Sequence, residues 1–494
     1  MGIEFFEESD NSYGFVSDLV KDLNLQWIAR NMVNEKYGDI PFIMQILQHP
    51  LGTEEKIEER QKVVMAACEN PELIEKLRGL IVELSENLDH SLDAIQDSRG
   101  KHLMEQTVIG IHVEGIRELV RGLSEIAELQ NSYKEVFRDT AFSHFSQCFF
   151  EEEPEDKLEE QKALIMHLDG FKGKGEILLQ AHIGSGFSLR DVKVVSVSDK
   201  ARRISGSFFS NKRGQVIADE EVYQDGVDFT NQVLLTLLNQ CVPFLQRWQE
   251  HLHTMRRQVI FLAGCAGLYR KGQESGRYFC MPDRNATEAK GLYELSLSLQ
   301  ILEIPIPNTI SIKRGQGIVV TGANQGGKST FLRSLGIAQV LCQAGMFVPA
   351  GKYPLHAYQN IYTHFTRRED ATMNMGKFEE ELKRMEEILC HASENTLLLL
   401  NESFATTTEV TAYQIAMDLF HTCLEHDVTI WMVTHITKFA KKLFEERRDD
   451  VLFLSAGRMA EKETRFQMYE KKPGDTSYGL ELYEQMIGET SRGK

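Results

Sequence analysis

Apolar and polar positions follow a helical period over much of the first third of the chain. Within residues 15–150, apolar side chains recur every three or four residues, as in LIEKLRGLIVELSENL at 73–88, and this period predicts amphipathic helices. Pro71 supplies a start signal for that helix, and a second helical pattern runs over about 103–148. The acidic run EEEPEDKLEEQ at 151–161 is predicted to be a solvated loop or helix start.

The period then shortens, and it changes again towards the end of the chain. Over 175–223, the runs ILLQAHI, VKVVSVS, RISGSFF and QVIADEEVY are separated by turn-forming residues and predict the strands of a small β-rich unit. Helical pattern returns over about 230–267, and 272–293 is predicted as loop with short strands. Residues 301–494 alternate strand-like and helix-like segments, which predicts a parallel α/β sheet.

These patterns predict a multidomain α+β protein. A length of 494 residues suggests about three domains of about 150 residues each. The changes of period divide the chain into four parts, namely a helical domain at 1–150, an acidic linker with a β-rich basic insertion at 151–225, returning helices with a connector at 226–300, and an α/β domain at 301–494.

Composition narrows the class of protein. A hydrophobic fraction of 42% with 26% charged residues is typical of a soluble globular chain. The eight cysteines form no C-x-x-C pair, so buried free thiols are favoured over a zinc site or a disulfide framework. The start MGIEFFEESD lacks the features of a signal peptide, and no apolar stretch is long enough for a membrane helix. We therefore expect a cytoplasmic protein without a membrane partner.

Charge is distributed unevenly. The net charge is −18, yet residues 301–494 contain 22 lysines and arginines against 25 acidic residues, so most of the excess lies before residue 301. Within that acidic part, residues 172–213 carry nine basic side chains against three acids. Two interpretations remain open for this basic island: a surface that balances the acidic helices, or contact with nucleic-acid phosphates. The island consists of Lys172, Lys174, Arg190, Lys193, Lys200, Arg202, Arg203, Lys212 and Arg213.

The strongest chemical signal is a glycine-rich motif, G-x-x-x-x-G-K-S, between the apolar run IVVT and the helical run FLRSLGIAQVL. Glycines let backbone N–H groups wrap around phosphate oxygens at a helix start, Lys328 supplies a cation, and the Ser329 hydroxyl is a ligand suited to Mg²⁺. The sequence therefore predicts a site for nucleotide phosphates. Its residues are Gly322, Ala323, Asn324, Gln325, Gly326, Gly327, Lys328, Ser329 and Thr330.

Two later strand ends carry further candidate groups. The apolar run from Thr396 ends in Asn401-Glu402, where a nucleotide-hydrolysing sheet places a magnesium-organising residue and a water-activating carboxylate. The run VTIWMVT ends in His435, and ligands bind at the carboxyl edge of parallel sheets. We therefore predict that Glu402 is a general base and that His435 belongs to the same site.

The three elements in this order resemble the ATPase domain of the MutS family of ABC-type DNA repair ATPases. The likeness extends over TGANQGGKSTFLRSLGIAQVLCQAGMFVPAGKYPLHAYQNIYTHF at 321–365, NMGKFEEELKRMEEIL at 374–389 and KKPGDTSYGLELY at 471–483. A weaker likeness to the helical core domain of MutS covers LQHPLGTEEKIEERQKVV at 47–64.

The resemblance implies a dimer in which each ATP lies between the phosphate loop of one subunit and a trans-acting segment of the other. That segment corresponds here to Gly376, Lys377 and Phe378, and His435 would sense or stabilise the γ-phosphate. Ser329 and Asn401 would organise Mg²⁺. The long helices would be levers that connect the ATPase domain to DNA, and a repair or recombination protein would be a possible partner.

Several positions depart from the family pattern. Asn401 replaces the usual Asp before the general base, and SFATTT at 403–408 replaces a loop with two glycines and an arginine. Only Phe378 of the trans-acting triplet is kept, so we expect ATP binding with slow hydrolysis. Phe5-Phe6-Glu7 spells a mismatch-reading F-x-E wedge, but only about 45 residues precede the core-domain match, and we expect no such wedge.

Two functions remain open at this point. The first is an ATPase that clamps branched or damaged DNA, with contacts from Lys193, Lys200, Arg202, Arg203, Lys212 and Arg213. The second is a nucleotide-switched module that binds a protein partner and has little affinity for DNA, which the acidic first 300 residues favour.

Overall fold

The computed structural model describes residues 3–9, 16–33, 37–100, 105–159, 176–183, 189–198, 220–323, 325–366, 376–457 and 465–474. The chain forms two compact units. Residues 1–5 and 72–259 make up the first unit, and residues 6–71 and 260–494 make up the second. The four-part division expected from the sequence stays a prediction.

The first unit is mainly helical. Its helices cover Pro71–Gly100, Glu105–Ser132, Lys134–Asp139, Ser143–Glu152 and the 55-residue Glu220–Glu274, which continues into the second unit. Strands β1 (Glu176–Ile183) and β2 (Leu189–Ser198) form an antiparallel pair. The helical prediction for the first third and the strands ILLQAHI and VKVVSVS are thereby confirmed.

One predicted strand is partly wrong. The segment EEVY at 220–223 belongs to the helix Glu220–Glu274 instead of ending a β run. The predicted strand RISGSFF and the rest of QVIADEEVY lie outside the described residues.

The F-x-E spelling near the N-terminus does not form an exposed wedge. Phe5 is buried in the first unit and stacks on Phe145, with ring centroids 4.0 Å apart. Phe6 is buried in the second unit beneath the guanidinium of Arg60, 4.5 Å from the ring centroid. Since both aromatic rings are core residues, the expectation that no wedge exists is confirmed.

The second unit contains a six-stranded mixed sheet. Its strands are β5 (Gly317–Thr321), β6 (Asn360–Phe365), β7 (Thr396–Asn401), β8 (Val428–Val433), β9 (Val451–Ala456) and β10 (Met468–Glu470), and their order in the sheet is β10-β9-β5-β8-β7-β6. All neighbours are parallel except β10, which pairs with β9 in antiparallel fashion. A separate antiparallel pair joins β3 (Glu288–Leu292) and β4 (Asn308–Ser311).

Helices on both faces of the sheet explain its apolar strands. Residues of β5 and β8 are buried along their whole length, as parallel strands covered on two sides require. The helices of this unit cover Val16–Asp22, Leu25–Met32, Ile40–Leu47, Glu54–Glu69, Leu295–Ile301, Lys328–Gln343, Lys377–His391, Glu409–Glu425 and Thr437–Arg447. The parallel sheet predicted for the last part of the chain is confirmed, and the antiparallel edge strand β10 is an addition to it.

The segment at 47–64 packs within this second unit. Thr53 caps the helix Glu54–Glu69, because its hydroxyl accepts a hydrogen bond from the Lys56 N–H. The buried Arg60 donates to the Glu7 carbonyl oxygen at 2.7 Å, and Gln61 donates to the Pro282 carbonyl oxygen at 3.3 Å. The Arg-Gln pair therefore ties remote segments together.

The predictions about membrane helices, cysteines and metal sites can be compared with the described residues. Among the described helices, none combines the length and apolar character needed to cross a bilayer. Seven cysteines are described as free thiols, of which four are buried and Cys390 is exposed. Within the described part of the chain, no cluster of His, Cys, Asp and Glu is arranged to hold a metal ion.

Candidate functional site

The candidate residues meet at the carboxyl edge of the sheet because β8 lies between β5 and β7. The Thr434 N–H donates to the Val320 carbonyl oxygen at 3.0 Å, and the Glu402 N–H donates to the Val433 carbonyl oxygen at 2.9 Å. These two bonds align the end of β8 with the ends of both neighbours. The phosphate loop, the Asn401-Glu402 tip and the residues around Thr434 therefore share one edge.

Glycines shape the loop between β5 and the helix Lys328–Gln343. Gly322 has φ 126°, and a Cβ atom there would lie 2.8 Å from the Ala456 backbone nitrogen. Gly327 caps the helix with φ 84°. Because neither position accepts a side chain without strain, the backbone N–H groups at this helix start stay open to a ligand.

Lys328 is folded back onto this loop. Its ammonium donates to the carbonyl oxygens of Gly322 and Ala323 at 3.0 and 2.9 Å. Burial lowers the pKa of Lys328, and the neighbouring carboxylate of Glu402 opposes that shift. A buried cation held by two neutral carbonyl oxygens has an incomplete set of negative partners, which suits it to a phosphate.

Two oxygen atoms nearby fit a hard cation. The Ser329 hydroxyl lies half-buried in the first turn of the helix. Asn401 Oδ1 is buried and has no hydrogen-bond partner among the described residues. A buried polar atom without a partner is destabilising, and amide and hydroxyl oxygens are suitable ligands for Mg²⁺. The donor set therefore fits this ion.

A cavity of about 740 Å³ is lined by residues of the phosphate loop and by Glu402. Its polar floor contains Lys328, Ser329, Thr330 and the Glu402 side chain. A cavity of this size is in the range that holds a small organic ligand. The arrangement therefore offers a cation, a helix N-terminus and a carboxylate to one bound molecule.

Other predicted residues lie elsewhere or are not described. His435 follows β8 and is exposed, and neither it nor Asn401 is among the residues that line the cavity. Gly376 caps the helix Lys377–His391, where Phe378 packs against the hydrophobic core of the same unit. The structure does not bring Gly376, Lys377 or Phe378 to this cavity.

The side chains predicted to contact DNA are not among those that the structure describes. Lys193 is a residue of β2. Lys200, Arg202, Arg203, Lys212 and Arg213 lie outside the described residues, as does Asn324 of the phosphate loop.

Sequence reasoning missed one wall of the cavity. It consists of residues from 292–308, with the partly exposed Ile301 and Ile306, and of Phe466 from the turn before β10. The Asn308 carboxamide holds these parts together, because its Oδ1 accepts a hydrogen bond from the Met468 N–H at 2.7 Å. The available signal was the apolar run ILEIPIP at 301–307, which two prolines interrupt. Large apolar residues between two polar loops indicate a binding surface.

The family model and the relatives that match this chain all carry MutS names. Residues 318–488 match the family model of MutS domain V. The chain is 32% identical over 124 residues to the DNA mismatch repair protein MutS of Thermotoga petrophila, which is 25% of this chain and 16% of the relative. It is 28% identical over 196 residues to the protein of that name from Bacillus licheniformis, covering 38% of this chain and 22% of the relative.

A relative with a different name matches to a similar extent. The chain is 28% identical over 163 residues to Endonuclease MutS2 of Aquifex aeolicus, covering 32% of this chain and 21% of the relative. Each of these three matches spans less than a quarter of the relative's length.

Proposed function

We propose that the chain, whose residues 318–488 match MutS domain V, binds and hydrolyses ATP and couples its nucleotide state to a dimeric clamp on DNA. The observation that carries this proposal is the cavity in which Lys328, Ser329 and Glu402 face the same space. The two named kinds of relative, a mismatch repair protein and an endonuclease, are consistent with action on DNA.

The phosphate chain of ATP would lie along the glycine-rich loop. Backbone N–H groups of the loop and the start of the helix Lys328–Gln343 would donate to phosphate oxygens. Lys328 would exchange its two carbonyl partners for the β- and γ-phosphate oxygens, with which a cation interacts more strongly. Phosphate binding would thereby satisfy a buried charge that the free protein satisfies only partly.

Ser329 and Asn401 are the residues that would hold Mg²⁺, and the ion would supply neutralising charge to the phosphates when bound. Asn401 is neutral, so it attracts the ion less than the Asp of the family pattern would. Glu402 would accept a proton from the attacking water, and His435 would stabilise the γ-phosphate from the end of β8. The weaker ion site is our reason for proposing slow turnover.

The dimer and DNA complete the proposal. Gly376, Lys377 and Phe378 do not line their own subunit's cavity, which is compatible with contact to the nucleotide of a second copy. Closure of two ATPase domains around two nucleotides would move the helical levers. The basic island at 172–213 would supply DNA contacts, and branched or damaged DNA would be preferred to mismatches.

ATP turnover by the purified chain tests the enzymatic part. We expect turnover that rises with branched DNA, and a decrease of at least about 100-fold in the variants Lys328→Ala and Glu402→Gln. Glu409→Gln is the matched control, because Glu409 is an exposed carboxylate outside the cavity. Equal turnover in all three variants and the wild type would refute the assignment of the site.

DNA affinity tests the other part. Replacing Arg202, Arg203, Lys212 and Arg213 together by Glu should weaken binding and flatten its salt dependence, since each lost phosphate contact reduces the salt slope by about 1. Unchanged DNA binding would move the contacts away from the island.

The second candidate function is a nucleotide-switched module that binds a protein. The excess of acidic residues before residue 301 favours it, because acidic surfaces repel phosphates. ATP-dependent capture of one specific protein, with no DNA affinity at moderate salt and no turnover, would support this function over the first.

A further inference from the structure

The loop that follows β7 has an unusual backbone. Residues 402–406, here named the 402–406 loop, contain two residues with left-handed backbone that are not glycine, namely Glu402 at φ 55° and Phe404 at φ 66°. A side chain in this region strains the backbone at each position. The surrounding contacts must therefore offset this strain.

Phe404 provides the largest of these contacts. Its side chain is fully buried in the hydrophobic core between the sheet and the helices Glu409–Glu425 and Thr437–Arg447. Its ring is inclined by 29° to the His364 imidazole, with centroids 6.2 Å apart. Burial of a phenylalanine side chain is strongly stabilising, and it offsets the backbone strain at this position.

A buried polar network holds the neighbouring residue. The His364 Nδ1 atom lies 2.8 Å from Ser403 Oγ, and its Nε2 atom lies 3.2 Å from the Glu381 carbonyl oxygen. Burial and the charge of Arg384 lower the pKa of His364 to about 4, so the ring is neutral near pH 7. The Ser403 hydroxyl also donates to the His364 carbonyl oxygen at 3.0 Å, so one side chain contacts both the ring and the backbone of His364.

The two ends of the loop are also fixed. The Thr366 hydroxyl lies 3.1 Å from the Asn401 carbonyl oxygen and 2.9 Å from the Glu402 carbonyl oxygen. The Thr406 hydroxyl donates to the Glu381 carboxylate at 2.7 Å. Contacts from β6 and from the helix Lys377–His391 therefore restrain the backbone on both sides of Phe404.

We propose that Phe404, together with the Ser403–His364 pair, is a positioning device that holds the Glu402 carboxylate at the cavity. This inference rests on the proposed hydrolysis of ATP. The family pattern has glycine at the position of Phe404, so its loop has no buried side chain to anchor it there. In this chain, the anchor and the network fix the loop before ATP binds.

If this proposal is correct, ATP affinity and the rate of ATP hydrolysis depend on different parts of the site. ATP affinity depends on the phosphate loop, and Phe404 is not among the residues that line the cavity. The hydrolytic step depends on where the Glu402 carboxylate lies relative to the attacking water. Loosening the 402–406 loop should therefore lower the hydrolysis rate and leave the ATP affinity unchanged.

The variant Phe404→Gly tests the anchor. Glycine adopts φ 66° without strain, so the backbone conformation stays accessible while the anchor is lost. We expect the single-turnover rate of ATP hydrolysis to fall about 10-fold or more and the Kd of a fluorescent ATP analogue to change less than twofold. Hydrogen exchange of the amides at 402–406 should become faster, and Phe404→Leu should restore both the rate and the protection.

Two further variants separate positioning from general destabilisation. Phe420→Ala removes a fully buried ring of the same core outside the loop, and we expect it to lower stability with little change in the hydrolysis rate of the folded protein. Ser403→Ala removes the hydroxyl that contacts both Nδ1 and the carbonyl oxygen of His364 and should lower the rate about 3-fold to 10-fold. This second loop variant decides the matter if Phe404→Gly does not fold.

Unchanged exchange in Phe404→Gly, or faster exchange with an unchanged hydrolysis rate, would overturn the inference. Equal losses of rate in Phe404→Gly and Phe420→Ala would also overturn it, because the effect would then follow stability alone. A wild-type chain that binds ATP without any turnover would instead refute the proposed hydrolysis. In that case the exchange measurement alone would still show whether Phe404 fixes the loop.

Discussion

Two loops at the same edge of the sheet adopt left-handed backbone in different ways. The phosphate loop uses Gly322 and Gly327 at its crowded positions and the exposed Gln325 between them, whereas the 402–406 loop uses Glu402 and Phe404. At Gly322 a Cβ atom would meet the Ala456 backbone, and at Phe404 the side chain fills a space in the core. Glycine is therefore required where another backbone or a ligand approaches closely, and a larger residue is tolerated where the core can receive it.

The largest expected effect is at the crowded glycine. Gly322→Ala combines a left-handed alanine with an overlap against Ala456, and we expect a loss of about 4 kcal/mol in unfolding free energy together with loss of ATP binding. Denaturant unfolding measures the first quantity and nucleotide titration the second. Gly315→Ala is the matched control, because Gly315 has φ 70° with open space around it. It should cost about 1 kcal/mol and leave ATP binding intact.

If both alanine variants lost the same stability, the overlap with Ala456 would not matter. The contrast between the two loops would then reduce to backbone conformation alone.

The next effect concerns the 402–406 loop and pH. Because burial lowers the pKa of His364 from 6.5 to about 4, the folded protein binds fewer protons than the unfolded chain between these values. The stabilisation is complete above pH 6.5 and is lost as pH falls towards 4, by about 3 kcal/mol in total. Unfolding free energies of the wild type and His364→Gln, measured between pH 4 and 7, should converge as the pH falls. Parallel curves would contradict a buried neutral histidine.

The smallest effect is at Thr366, whose hydroxyl contacts the backbone of Asn401 and Glu402. Thr366→Val should lower the unfolding free energy by about 1 kcal/mol and increase hydrogen exchange in the 402–406 loop. Thr363→Val is the control on the same strand, because the Thr363 hydroxyl is buried without a hydrogen-bond partner among the described residues. Thr363→Val should leave the unfolding free energy unchanged or raise it. If it lowered the unfolding free energy as much as Thr366→Val does, the hydrogen bonds of the Thr366 hydroxyl would not explain the effect.

The local pattern of apolar and polar residues was sufficient to predict the strand and the helix on either side of the phosphate loop. The apolar run before Gly322 and the helical period after Lys328 predicted β5 and the helix Lys328–Gln343, because each pattern reports burial within one element. The same reasoning placed Glu402 and His435 at strand ends. It did not predict the helical conformation of EEVY at 220–223, where the β-like alternation indicated a strand.

The cavity wall and the burial of Phe404 could not be predicted from the sequence, because they depend on contacts between distant segments. Phe466 and residues 292–308 form one wall of the cavity although about 160 positions separate them. The substitution at Phe404 is visible in the sequence as a departure from the family, but its burial and its left-handed backbone are not. A residue's period predicts which face it occupies, and it does not identify the partner that covers that face.

The sequence by itself determined the chemical groups, the strands that carry them and the likeness of residues 318–488 to MutS domain V. The tertiary structure decided which strand ends are neighbours, since the order β5-β8-β7 brings Lys328 and Glu402 to one cavity. It also decided that Phe5 and Phe6 are core residues and that Phe404 anchors a loop. The physical reason is that hydrogen-bonding and burial periods act over a few residues, whereas packing depends on surfaces brought together across the whole chain.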